Sequence, residues 1–201
     1  MKKQQGFTLI EVTVVISIIG LLASVLLVSF VGVREKARDS RRLADMRQVI
    51  TALDIYYNEY GRYPDVSASG SGCSGWDTSK TPDAFLQSLI NEKIITKPPV
   101  DPLNSGGCAF NQKSGTFFAN LLIDKAIAST APRKPQGIVY VYRYEMAGNN
   151  GCDPSKGNYY VLGIPKMETV TGKHPSSPGF TCNDPNEPWV NFAWVAGKFE
   201  K

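Results

Sequence analysis

The sequence lacks most of the patterns on which enzymes and metal proteins depend. It has no glycine-rich phosphate loop and no nucleophile turn for a catalytic serine. It has one histidine, His174, and no Cys-x-x-Cys pair, which disfavours a zinc site. Its net charge of +4, about +2 without Lys2 and Lys3, is too small to indicate a nucleic-acid partner. We therefore expect no enzyme, no cofactor and no bound metal.

Charge is also nearly absent from residues 7–33, where Glu11 is the one charged residue. A helix of that length is about 40 Å long, enough to cross a hydrocarbon core of roughly 30 Å. Lys2 and Lys3 precede the run, which predicts a cytoplasmic N-terminus and an extracytoplasmic body. The run is about twice as long as the apolar core of a secretory signal peptide, which disfavours that alternative.

A plain membrane anchor would leave Glu11 unexplained, because a carboxylate at that depth costs about 2.5 to 3.5 kcal/mol unless it is paired. No Lys or Arg follows it within two helical turns. We therefore expect its partner to come from another chain, from the membrane interface or from a free amine created by a nearby cleavage.

Residues 2–24 read KKQQGFTLIEVTVVISIIGLLAS, which resembles the class III signal of type IV prepilins and type II secretion pseudopilins. The resemblance implies that prepilin peptidase cleaves between Gly6 and Phe7 and that the new N-terminal Phe7 is N-methylated. It also implies an assembly role for Glu11, whose carboxylate would meet the freed amine of a neighbouring subunit. One departure is Val28, since many members carry a proline eight residues after the glycine that is Gly20 here.

Residues 34–60 continue the helical period without a breaker, so we predict one helix of about 54 residues. Its apolar stripe ends at the stop signals Gly61 and Pro64. The charged segment 34–47 has acids interleaved among its arginines, which favours a solvated or subunit-bridging face over nucleic-acid binding. The predicted stripe comprises Met46, Val49, Ile50, Leu53, Tyr56, Tyr57 and Tyr60.

Residues 61–201 predict a globular head. A helix is expected over 81–95, with Thr81 as its cap and Pro82 in its first turn, and a weaker one over 117–128. Aromatic and β-branched residues predict strands over 137–145, 159–164 and 189–199, the first two as a hairpin. The predicted fold class is α+β: a long N-terminal helix packed against a small antiparallel sheet of three to four strands, as the resemblance to pilins also implies.

Four cysteines, Cys73, Cys108, Cys152 and Cys182, follow the apolar run, and an even number in an exported domain favours disulfides. Three pairings are possible, and we favour Cys73 with Cys108 and Cys152 with Cys182 because each closes a loop of about thirty residues. The stretch 61–65 together with 85–102 is similar to major pseudopilins of type II secretion. The calcium loop of those proteins has no clear counterpart here, because residues 183–187 carry too few carboxylates.

The sequence thus predicts a leader (1–6), a membrane and filament-core segment (7–33), an amphipathic segment (34–60) and a head (61–201). The resemblance implies a filament subunit whose partners are copies of itself or related pilins, prepilin peptidase, an assembly platform with its ATPase, and membrane lipid before assembly. The filament would lie at the cell surface or in the periplasm. Major pilin, minor pilin and pseudopilin remain open, as does a monomeric membrane-tethered binding module.

Overall fold

A computed structural model describes residues 7–66, 73, 75–80, 85–109, 134–182, 187 and 189–201. For residues 25–31, 108, 109 and 134 the description covers the backbone alone. Gly6, the cap and first turn predicted at Thr81 and Pro82, and the helix predicted over 117–128 lie outside the described residues.

One continuous helix, α1 (Leu9–Tyr60, 52 residues), confirms the long helix that the sequence predicts. It ends where expected: Gly61 adopts a left-handed conformation with φ of 69°, and its N–H donates to the carbonyl oxygen of Tyr57. A side chain would be strained in that conformation, so glycine is well suited to end the helix here.

The head contains a four-stranded antiparallel sheet in the order β1 (Asp77–Thr78), β4 (Val141–Glu145), β5 (Tyr159–Ile164), β6 (Trp194–Phe199). The predicted hairpin is present, since β4 pairs with β5 from Glu145 opposite Tyr159 to Val141 opposite Gly163. A separate two-stranded ribbon, β2 (Gly107–Ala109) with β3 (Lys134–Gln136), was not predicted.

The sheet is buried on both faces. Tyr160, Leu162 and Ile164 of β5 pack toward the apolar stripe of α1, whose Met46, Val49, Leu53 and Tyr56 are buried with them. The alternate residues Tyr159 and Val161 belong to a second cluster with Trp76, Trp189 and Phe192. The period of two along a strand sends neighbouring side chains to opposite faces, which is why β5 is apolar throughout.

The helix predicted over 81–95 is wrong in extent, because within the described part, 85–95, α2 covers only Gln87–Asn91. Leu86 and Lys93, on either side of it, have positive φ values of 54° and 58°. Non-glycine residues in this left-handed region interrupt a right-handed helix. The apolar face was nevertheless predicted correctly, since Phe85, Leu86 and Leu89 are buried in the core and Ile90 is half-buried.

The first and third predicted strands begin too early. The structure starts β4 at Val141 rather than 137, and β6 at Trp194 rather than 189. Before β6 the chain turns, with the N–H of Phe192 donating to the carbonyl of Trp189. Aromatic residues are common in strands, yet Trp189 and Phe192 pack against the sheet from the turn instead.

Candidate assembly interface

The N-terminal part of α1 carries a long series of exposed apolar side chains. Phe7 is 89% exposed and Leu9 82%, and the large apolar residues that follow are all at least half exposed. Apolar surface of this extent is uncommon on soluble monomers and marks a contact with lipid or protein. The exposed series is Phe7, Leu9, Ile10, Val12, Val14, Val15, Ile16, Ile18, Ile19, Leu21 and Leu22.

Glu11 caps the start of this helix. Its Oε2 accepts hydrogen bonds from the backbone N–H of Thr8 at 2.9 Å and from the Thr8 hydroxyl at 2.8 Å. The backbone N–H of Glu11 donates back to Oγ1 of Thr8 at 3.3 Å, which completes a capping box. Thr8 therefore supplies hydrogen-bond donors to Glu11 from the same chain, whereas the partner expected for its charge from another chain, the membrane interface or a freed amine stays a prediction. The assembly role of Glu11 stays a prediction.

Within the described residues, no helix is both long enough and apolar enough to be assigned as a membrane span.

The second feature of α1 is a buried ionic cluster that joins it to the head, formed by Arg38, Asp39, Arg42, Asp101 and Glu168. Arg42 is fully buried and its guanidinium makes a two-pronged contact, with Nε 2.7 Å from Oδ2 and Nη2 3.1 Å from Oδ1 of Asp101. Its Nη1 lies 2.5 Å from Oδ1 of Asp39 and 2.7 Å from Oε1 of Glu168. One guanidinium therefore links the helix to two separate loops of the head.

Asp39 and Arg38 complete the buried ionic cluster. The Asp39 carboxylate accepts the backbone N–H of Glu168 at 3.2 Å and the backbone N–H and hydroxyl of Thr169 at 2.8 and 2.6 Å. Nε of Arg38 lies 2.8 Å from Oε1 of Glu168. These contacts fix the segment after β5 against one face of α1.

Hydrogen bonding keeps Asp39, Arg42 and Glu168 of this cluster ionised. Burial favours the neutral form of Asp39, but hydrogen bonds from Thr169, Glu168 and Arg42 outweigh it and hold its pKa below the usual value. The pKa of Glu168 is lowered chiefly by its hydrogen bond from Arg38. Burial disfavours the charged form of Arg42, but hydrogen bonds to Asp101 and Glu168 raise its pKa further. These groups are charged at neutral pH.

The interpretation of segment 34–47 as a merely solvated or subunit-bridging face is therefore wrong for Asp39 and Arg42, which are 3% and 0% exposed. Their partners Asp101 and Glu168 lie 59 and 126 residues from Arg42. Interleaved charges within a helix indicate local pairs and do not predict partners at such separations.

A disulfide joins Cys152 and Cys182, with Cα atoms 4.6 Å apart. This is one of the two favoured pairings. Cys73 is buried and disulfide-bonded, but the side chain of Cys108 lies outside the described residues, so its pairing stays a prediction. The Cys152–Cys182 bond ties the loop after β4 to the loop before β6.

Removing this bond with the double substitution Cys152→Ala, Cys182→Ala is expected to lower the free energy of unfolding by about 2 to 4 kcal/mol. A cross-link between positions 30 residues apart restricts the unfolded chain. Denaturant unfolding of the full chain in detergent, followed by tryptophan fluorescence, measures the loss. An unchanged midpoint and slope would show that the loops are held without the bond.

The described residues contain no group of three or more His, Cys, Asp or Glu side chains that could hold a metal ion. Of the weak acidic cluster at 183–187, only Glu187 is described, and it is buried with Oε1 accepting the N–H of Cys182. His174 lies in a loop, where its Nδ1 accepts the N–H of Ser176 at 3.0 Å.

Residues 1–27 match the family described as the prokaryotic N-terminal methylation motif. The chain is 42% identical to type II secretion system core protein G of Klebsiella pneumoniae over 105 residues, which cover 52% of this chain and 73% of that protein. It is 34% identical to the Escherichia coli K12 protein of the same name over 100 residues, 50% of this chain and 67% of that one.

A third relative is the type IV major pilin protein PilA of Myxococcus xanthus, 32% identical over 63 residues, which cover 31% of this chain and 29% of the pilin. No solved structure matches the chain. The methylation motif, the helix α1 on a four-stranded antiparallel sheet and the identity to both kinds of relative agree. The chain belongs to the family of type IV pilins and type II secretion pseudopilins.

Proposed function

We propose that this chain is a structural subunit of a type IV pilus-like filament, made as a membrane-inserted precursor and polymerised after removal of residues 1–6. The observation that carries the proposal is the exposed apolar series from Phe7 to Leu22, held on the same helix as a folded head. Burying each large apolar side chain contributes about 1.5 to 3 kcal/mol, so an aqueous monomer would be strongly disfavoured.

Two successive environments would cover the exposed apolar side chains of α1. Before assembly, residues 7–33 would lie in the bilayer, with the N-terminus cytoplasmic and the head extracytoplasmic. After assembly, the same surface would be covered by the helices of neighbouring subunits. The partners under this proposal are other copies or related pilins, prepilin peptidase, a membrane platform with its ATPase, and lipid.

Within the family, the comparisons favour a pseudopilin of type II secretion. The identity to core protein G extends over 100 residues or more at 34 to 42%, whereas the identity to the pilin is 32% over 63 residues. A pseudopilin would build a short periplasmic filament that serves protein export. Deleting its gene should then block export of secreted proteins without removing a surface filament.

The test of the filament role is the N-terminal mass and sequence of the protein isolated from its native envelope. We expect a chain that begins at N-methylated Phe7, because the resemblance to prepilins implies cleavage after Gly6. A Gly6→Val variant is the control and should keep residues 1–6. A wild-type protein that retains Met1 and stays monomeric would instead support a membrane-tethered binding module.

A further inference from the structure

The fold divides the charged side chains of the segment 34–47 into an inner set, which faces the head, and an outer set, which faces solvent. Two of its three acids turn inward: Asp39 belongs to the buried ionic cluster, and Oδ2 of Asp45 accepts the hydroxyl of Tyr140 at 2.7 Å. Two of its cations, Arg38 and Arg42, also turn inward. The sequence alone shows a mixed-charge segment, whereas the folded surface is biased toward positive charge.

The outer set contains Arg34, Lys36 and Arg41, all exposed. Arg41 keeps 66% of its side chain exposed, and its closest acid is Asp45 at 3.9 Å, which is too long for a hydrogen bond. The remaining acid, Glu35, is half-buried and is outnumbered by these three exposed cations. The outward-facing charge of this segment is therefore chiefly basic.

The head adds two cations at the same level of the helix. Lys97 is exposed and lines a cleft of about 280 Å³ together with Arg41 and two prolines. Lys166 is exposed and precedes by two residues Glu168, which is bound to Arg38 and Arg42. We call Arg34, Lys36, Arg41, Lys97 and Lys166 the basic collar.

The basic collar lies where the phospholipid headgroups would be. Arg34 follows Val33, the last residue of the apolar run, and Arg41 lies eight residues beyond Val33, a rise of about 12 Å. Side chains on a helix tilt toward its N-terminus, here toward the bilayer, and a headgroup layer extends about 5 to 8 Å beyond the hydrocarbon. The long basic side chains can reach phosphate groups from that height.

Cations this close to a span are unfavourable on its translocated side, because the positive-inside tendency counts Lys and Arg within about 15 to 20 residues of the span. A stabilising contact between these cations and the extracytoplasmic leaflet would offset this unfavourable placement. We propose that the basic collar binds anionic phospholipid headgroups in the extracytoplasmic leaflet and so positions the precursor before assembly. This inference rests on the proposed membrane insertion and adds the class of lipid and the residues that bind it.

The test uses the full chain reconstituted into phosphatidylcholine vesicles that contain a trace of spin-labelled lipid. Electron paramagnetic resonance measures the fraction of labelled lipid that is immobilised at the protein. In one sample the labelled lipid is phosphatidylglycerol, and in the other it is phosphatidylcholine. Each basic residue near an anionic surface strengthens binding by about fivefold at most. We expect at least a threefold preference for phosphatidylglycerol, which falls below about 1.5-fold in Arg34→Gln, Lys36→Gln, Arg41→Gln.

The matched control is Lys93→Gln, Lys156→Gln, Lys201→Gln, which removes the same charge from exposed positions elsewhere on the head. This control variant should keep the preference for phosphatidylglycerol. If both labelled lipids are immobilised to the same extent, or if the control variant loses the preference equally, the basic collar does not bind anionic headgroups. Membrane insertion would still be supported in either case. Absence of immobilised label with either lipid would overturn the proposed insertion itself, and this inference with it.

Discussion

Replacing Arg42 with methionine is expected to lower the free energy of unfolding of the head by about 3 to 5 kcal/mol. The substitution retains the apolar stem but leaves the carboxylates of Asp39, Asp101 and Glu168 without the cation that they share. Unpaired buried charge is costly because water cannot solvate it. Denaturant unfolding of the full chain in detergent measures the change, since Trp76, Trp189 and Trp194 are buried in the head and report on it.

The matched control is Arg41→Met, one residue away on the same helix. Arg41 is largely exposed, and its contact with Asp45 at 3.9 Å is weak, so this change should stay within about 0.5 kcal/mol. If the two variants unfold at the same denaturant concentration, the buried ionic cluster does not hold the head to α1.

A double substitution separates the cost of unpaired charge from a general loss of packing. In Arg42→Met with Asp101→Asn, a neutral amide replaces one of the carboxylates that Arg42→Met leaves without a cation. The double variant should therefore lose less free energy of unfolding than the sum of the losses in the two single variants. Oδ1 of Asp101 also accepts the N–H groups of Leu103 and Asn104, and asparagine can keep those bonds. Simple additivity would indicate that the guanidinium acts through packing alone.

The buried ionic cluster also shows how far the sequence could predict the structure. The apolar stripe, the stop at Gly61 and the strand 159–164 follow from local periods and turn residues. Asp39 and Arg42 lie seven and four residues before Met46, which places them on the buried side of the helix. That spacing was a usable signal, but it could not identify Asp101 and Glu168 as the partners, because loop conformations bring them there.

The over-long helix prediction at 81–95 fails for a related reason. Its apolar spacing was correct, yet the chain turns through left-handed conformations at Leu86 and Lys93 while it still buries Phe85 and Leu89. Burial in the core can thus be satisfied by a short helix with flanking turns, and periodicity predicts which side chains are buried better than it predicts hydrogen bonding.

Replacing Glu11 is expected to have the largest effect on function, and the capping box allows two roles of this residue to be separated. Glu11→Gln retains an oxygen that can accept from Thr8 but loses the charge, whereas Thr8→Ala retains the charge but loses the hydroxyl of the cap. If the carboxylate pairs with the amine of a neighbouring Phe7 in a dry helix bundle, losing it leaves that amine unpaired at a cost of about 3 to 5 kcal/mol.

Filament yield from intact cells, normalised to subunit in the membrane, distinguishes these roles. We expect Glu11→Gln and Glu11→Ala to reduce the yield at least tenfold, because 1.4 kcal/mol already corresponds to a factor of ten. Thr8→Ala should reduce it much less, since loss of a cap costs about 1 kcal/mol. Normal yield from Glu11→Gln combined with low yield from Thr8→Ala would mean that Glu11 serves assembly by ordering the first turn of α1, and that the charge pair is dispensable.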